Sequence, residues 1–108
     1  MKAELNKQEI RATNDAIARF KSNDPGLKRT YDVEFVIVDP NTSFELNLIE
    51  SFLGENEIEF RTVRRYKSDI LVEVQMKLEE KQILEIESYL TYFANEHGLK
   101  YDGWGAFE

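Results

Sequence analysis

The chain has 108 residues, a net charge of −7 at pH 7 and no cysteine. This length predicts one domain, residues 1–108, with an amino-terminal helix and linker over 1–26 and a core over 27–108. The absence of cysteine excludes disulfides and thiolate nucleophiles. No segment reaches the ~20 apolar residues that span a membrane, and the charged start has no signal-peptide run. We therefore expect a soluble, cytoplasmic protein.

The charges are unevenly distributed along the chain. Residues 1–30 carry seven basic and four acidic residues, whereas residues 31–108 carry seven basic and seventeen acidic residues. An acidic body repels phosphate backbones, which argues against direct nucleic-acid binding, and it attracts basic protein surfaces. The alternative is that the acidity only keeps the domain soluble.

Hydrophobic periodicity predicts seven elements. In chain order they are a helix at about 6–21, a strand at 29–38, a helix at 42–53, strands at 57–66 and 70–76, a helix at 79–97 and a strand at 99–103. Capping boxes at Asn6 with Glu9 and at Thr42 with Glu45 mark two helix starts. Gly98 is placed where a left-handed helix cap is expected.

This order is a helix followed by β-α-β-β-α-β. With short connections it predicts an α+β, ferredoxin-like two-layer sandwich, in which an antiparallel sheet has both main helices on one face. The amino-terminal helix is an extra element. On the other sheet face we expect polar residues around an apolar spot, which either the amino-terminal helix or a partner or second copy covers. The residues of this spot are Val36, Val38, Val63 and Leu71.

Residues that could carry chemistry are few, and we expect no catalytic, metal-binding or cofactor-binding residue. The only histidine, His97, is next to a glycine that ends a helix. The acidic pairs Glu79-Glu80 and Glu85-Glu87 are interpreted as a first helical turn and a solvated helix face. A hydrolase that uses carboxylates without a metal is a distant alternative.

Two other functions of ferredoxin-like domains, RNA binding and acylphosphatase activity, are disfavoured because the sequence lacks their motifs. Residues 68–73 lack the basic and aromatic pattern of RNA-binding strands. The loop at 39–42 lacks the glycine and arginine that an acylphosphatase uses to bind its anion.

One basic cluster interrupts the acidic body. It consists of Arg61, Arg64, Arg65 and Lys67. It either discourages edge-to-edge strand pairing or contacts an anion or an acidic partner, and Arg64 and Arg65 are our candidate contacts.

The segment Tyr101-Asp102-Gly103-Trp104-Gly105 places the only tryptophan between two glycines. In a regular strand Tyr101 and Trp104 point to opposite faces, and either glycine would allow a bulge. Trp104 either fills one end of the core or is an exposed anchor for a partner. All five residues are candidate partner contacts.

This ending resembles the closing motif of the family of B-type regulators of ribonuclease E activity, and the rest of the chain is similar to that family in layout. The resemblance implies a ferredoxin-like protein that is not an enzyme. It implies a protein partner, ribonuclease E, whose cleavage of mRNA the regulator reduces. It also implies a strongly acidic tail after the motif, whereas this sequence ends at Glu108. A small-ligand-binding or dimerising regulatory domain is the alternative, and a homodimer stays open.

Overall fold

The structure is a computed structural model that describes residues 2–108, and its elements follow the predicted order. The second predicted strand is shorter than its periodicity suggested, whereas the last strand is longer and continues through the Gly-Trp-Gly segment. The elements are α1 (Lys7–Phe20), β1 (Thr30–Val38), α2 (Leu46–Glu55), β2 (Thr62–Tyr66), β3 (Asp69–Lys77), α3 (Glu80–Glu96) and β4 (Lys100–Phe107).

The four strands form one antiparallel sheet with the order β2-β3-β1-β4. Its register pairs Phe35 with Val72 and Ile37 with Ile70. Directly paired residues point to the same side of a sheet, so these alternate positions form one apolar face. Helix α2 contacts β2, and α3 contacts β1 and β4. The predicted α+β two-layer sandwich with an extra amino-terminal helix is confirmed.

The core lies between this apolar sheet face and helices α2 and α3. Fully burying a large apolar side chain contributes about 1.5–3 kcal/mol, so this layer fixes α3 against the sheet. The largest fully buried side chains are Phe35, Ile37, Ile49, Leu53, Ile70, Ile83 and Leu90.

Helix α1 extends the helix layer at the β4 side of the sheet. Its buried residues are Thr13 and Ile17, and it contacts α3. The ring of Phe20 contacts that of Tyr31 on the apolar face of β1, with the centroids 5.3 Å apart. The prediction that this helix covers the apolar spot on the other sheet face is therefore wrong. Long-range packing decided the side, since a narrow apolar stripe fits either face.

The apolar spot itself is smaller than predicted. Val63 pairs with Val72 and packs against the core, so its assignment to the open face is wrong. Val36 and Leu71 do pair on the open face, where both are half-buried.

Of the two predicted capping boxes, only the one at Asn6 and Glu9 is present. The Asn6 side chain accepts a hydrogen bond from the Glu9 amide at 2.8 Å, and the Glu9 carboxylate accepts one from the Asn6 amide at 3.0 Å. The second box is absent, because Thr42 has a φ of +53° and α2 begins only at residue 46. Instead, the buried Asp39 carboxylate accepts a hydrogen bond from the Phe44 amide at 2.9 Å. The amide of Phe44, just before the helix, is thus satisfied by the Asp39 side chain instead of a capping box.

Candidate functional site

A bulge in β4 determines where the aromatic residues of the carboxyl-terminal motif point. Trp104 pairs with Phe35 and Tyr101 pairs with Ile37, so three steps along β4 match two steps along β1. Gly103 lies inside the bulge with a φ of +99°, a conformation that favours glycine. The extra residue brings Tyr101 and Trp104 onto the same face, the one that the helices cover. The expectation for a regular strand, opposite faces, does not apply, and the bulge that the glycines allow is present.

These two aromatic residues join a hydrogen-bonded cluster that links α1, α3 and β4. The Trp104 Nε1–H donates to Thr13 Oγ1 at 3.1 Å, and the Thr13 hydroxyl donates to Glu87 Oε1. The Tyr101 hydroxyl donates to Glu87 Oε2 at 2.5 Å. We call these four residues the Glu87 network. It joins residues 74 and 91 positions apart in the chain.

Trp104, on β4, contacts two residues of α1 and so connects that helix to the sheet. Besides its hydrogen bond to Thr13, its indole stacks near the ring of Phe20, with the centroids 6.5 Å apart and the planes at 21°. Both partners belong to α1, and the indole is half-buried against the core. This position agrees with a packing role. A role in binding a partner stays a prediction.

Glu87 is a buried carboxylate whose charge is not matched by a nearby cation. It is 5% exposed, and no ion pair within residues 2–108 includes it. Burial raises the pKa of its carboxyl group, while the hydrogen bonds from Thr13 and Tyr101 act in the opposite direction. Burial, followed by the neighbouring Glu87 charge, raises the pKa of the Tyr101 hydroxyl, so this group stays a hydrogen-bond donor.

No motif in the sequence marked Glu87 as a functional residue. Of the pair interpreted as a solvated face, only Glu85 is exposed, and the interpretation is wrong for Glu87. Helical spacing indicates the burial of Glu87, because this residue lies four positions after Ile83 and three before Leu90, which are both fully buried. A carboxylate on the apolar stripe of a helix predicts a buried hydrogen-bonded group.

A groove of about 400 Å³ runs beside the Glu87 network, between α1 and β4. We call it the α1–β4 groove. Alanines on α1 and a glycine on β4 form part of its wall, so both sides are free of long side chains there. Its charged residues are three acids and one base. The lining residues are Glu9, Ala12, Thr13, Ala16, Arg19, Glu87, Tyr101, Asp102, Gly103 and Trp104.

Four of the five candidate residues in the motif line this groove: Tyr101, Asp102, Gly103 and Trp104. Gly105 does not, because it pairs with Glu34 on the open sheet face.

Arg64 and Arg65 lie on opposite faces of β2 and outside the groove. Arg64 pairs with Glu34 across the open sheet face at 2.7 Å. Arg65 lies 3.1 Å from the buried Asp39 carboxylate and donates to the Phe44 carbonyl at 2.7 Å. The hydrogen bond from the Phe44 amide, together with Arg65, lowers the pKa of the Asp39 carboxyl group. Arg65 therefore ties the loop after β1 to β2, and a partner contact by either arginine stays a prediction.

A larger cavity of about 510 Å³ lies between the segment before β2 and the start of α3. Its acids Glu57, Glu59, Glu79 and Glu85 are exposed, and no motif residue lines it.

Over residues 2–108 no group of three His, Asp or Glu side chains is arranged to hold a metal ion. No helix in the same range is long and apolar enough to cross a membrane.

The fold and the groove together define a small α+β domain that presents a recessed acidic and aromatic surface beside an added helix. A comparison with protein families gives a match to the family described as regulator of ribonuclease activity B, over residues 10–106. The chain belongs to that family. The match extends from α1 to β4 and so includes both sides of the α1–β4 groove. Neither the curated proteins nor the solved structures contain a significant match.

Proposed function

We propose that this protein binds an endoribonuclease of the ribonuclease E type and reduces its cleavage of mRNA, without catalysing a reaction itself. The observation that carries the proposal is the family match over residues 10–106. The family is one of ribonuclease regulators, so a protein partner follows from membership in general terms. Ribonuclease E as the partner of this chain is the finer step that we propose.

The charge distribution supports a mechanism for the inhibition. Residues 31–108 carry a net charge of −10, from seven basic and seventeen acidic residues. A ribonuclease binds its polyanionic substrate through basic segments. An acidic protein surface that occupies such a segment competes with RNA for it. The same surface repels the phosphates of RNA and so does not bind RNA itself.

The direct test measures binding and cleavage with the same purified components. Ribonuclease E and this protein are mixed, complex formation is followed by analytical ultracentrifugation, and cleavage of a fluorescent RNA is followed in parallel. We expect cleavage to slow as the complex forms, and the RNA to stay intact with this protein alone. Self-association without a complex would contradict the proposal and favour the dimerising alternative. Cleavage by this protein alone would contradict its non-catalytic part.

The mechanism also predicts a salt dependence. Because mobile ions screen attraction between exposed charges, affinity for the ribonuclease should fall about tenfold between 50 and 300 mM salt. Titrations at several salt concentrations measure this, with circular dichroism at each one as a control for folding. An affinity that does not change with ionic strength would contradict the charge-based mechanism while leaving the binding itself in place.

A further inference from the structure

The α1–β4 groove has room for one long side chain. Ala12 and Ala16 on α1 and Gly103 in the β4 bulge all line it, and none of these residues extends beyond Cβ. The volume of about 400 Å³ gives room for an inserted side chain and for part of its backbone. The indole of Trp104 lines this space in a fixed orientation, because its nitrogen bonds to Thr13 and its ring stacks near Phe20.

The charges of the groove determine what kind of side chain fits. Glu9, Glu87 and Asp102 contribute three carboxylates, against a single guanidinium from Arg19. The Glu87 carboxylate is buried, and no ion pair among residues 2–108 neutralises it. Each of its oxygens accepts one hydrogen bond in the network, which leaves a lone pair on each. A cation is the complementary occupant.

The aromatic lining distinguishes between cations. Cation–π attraction is strongest with tryptophan, and arginine is the more frequent partner. A guanidinium is planar, stacks on aromatic rings and donates to two carboxylates at once, whereas an ammonium is a compact and strongly hydrated point charge. The groove therefore suits arginine better than lysine.

We propose that the α1–β4 groove binds an arginine side chain from a basic segment of a partner protein. The proposal rests on the proposed function, in that it names the part of this protein that the ribonuclease would contact. It also assigns a role to four residues of the carboxyl-terminal motif: Tyr101, Asp102 and Trp104 form the lining, and Gly103 leaves the entrance free.

The test uses a small arginine probe and the single tryptophan as reporter. The probe is acetyl-Gly-Arg-Gly-amide, titrated into the ¹⁵N-labelled full chain, which has one indole N–H resonance. We expect this resonance to shift and saturate. The same peptide with neutral citrulline should bind at least about tenfold more weakly, and the lysine peptide should lie in between. Equal binding of the arginine and citrulline peptides, equal binding of the lysine peptide, or an unmoved indole resonance would overturn the assignment.

Three variants locate the site. Asp102→Asn and Glu9→Gln each remove one groove charge, and we expect each to weaken arginine binding about threefold. Glutamine keeps the capping function at position 9. Ala16→Leu keeps the charge and fills the groove, so it should weaken binding more than about tenfold. The control Glu50→Gln removes an equal charge from an exposed position on α2 and should leave binding unchanged. Thermal melting verifies that each variant is folded.

The same variants separate this proposal from the proposed function. If the wild type inhibits ribonuclease E and the Asp102→Asn and Ala16→Leu variants inhibit equally well, the groove is not the contact and only this inference fails. If the wild type binds the arginine peptide but not the ribonuclease, the proposed function fails while the arginine site stands.

Discussion

Two glycines in the last strand should respond in opposite ways to the same substitution. Gly103 has a φ of +99°, and a Cβ added there meets no atom within 4 Å. In the folded state, the cost of Gly103→Ala is therefore that of the backbone conformation, with no steric clash added. Gly105 has no positive φ, and a Cβ there lies 3.6 and 3.7 Å from two carbons of the Phe107 ring, which is ordinary contact.

The magnitudes follow from these two environments. A residue with a Cβ in a disfavoured positive-φ conformation costs about 1–3 kcal/mol, and the lower entropy of the unfolded chain returns about 0.4–1 kcal/mol. Gly103→Ala should thus lower the free energy of unfolding by about 1–2 kcal/mol. Gly105→Ala carries only the entropy gain and should raise it by about 0.4–1 kcal/mol.

Urea denaturation and thermal melting measure both variants against the wild type. For a chain of this size, 1 kcal/mol corresponds to a shift of about 4 °C in Tm. We expect Gly103→Ala to lose about 4–8 °C and to change the near-ultraviolet circular dichroism, since Trp104 loses the orientation that the bulge provides. The reasoning would be refuted if Gly103→Ala had the same Tm as the wild type, or if both alanine variants lost stability equally.

Two further predictions concern charged groups. Burial raises the Glu87 pKa above its ordinary value of 4.5, so between these values the native state binds more protons than the unfolded state. The stability of the wild type relative to Glu87→Gln should then fall as pH rises from 4.5 through the raised pKa, by at most about 1.4 kcal/mol per pH unit. Urea titrations across this range measure the difference, and a constant difference would contradict the assignment. Arg65→Ala should cost about 2 kcal/mol because it leaves the buried Asp39 carboxylate without its cation, whereas the matched Arg64→Ala on the open face should change stability by less than about 0.5 kcal/mol. Denaturation of the two variants side by side tests this, and equal losses would refute it.

The predictions that succeeded concern groups close together in the chain. The capping box of Asn6 and Glu9 spans three residues, and the left-handed cap at Gly98, with a φ of +69°, is a property of one residue. Strand and helix periodicities likewise depend on the next few positions, and their order was sufficient for the two-layer sandwich. The carboxyl-terminal motif was sufficient for the family.

The sequence by itself thus determined the type and order of the elements, because the periodicity and hydrogen bonds behind each element act within a turn or a pleat. Its closing motif also determined the family. Only the tertiary structure decided the side of the sheet that α1 occupies, the hydrogen-bond partners of Glu87 and the common face of Tyr101 and Trp104. The hydrogen bonds from Thr13 to Glu87 and from Trp104 to Thr13 bridge 74 and 91 positions. Such contacts depend on which surfaces meet after folding, and a local pattern carries no information about its distant partner.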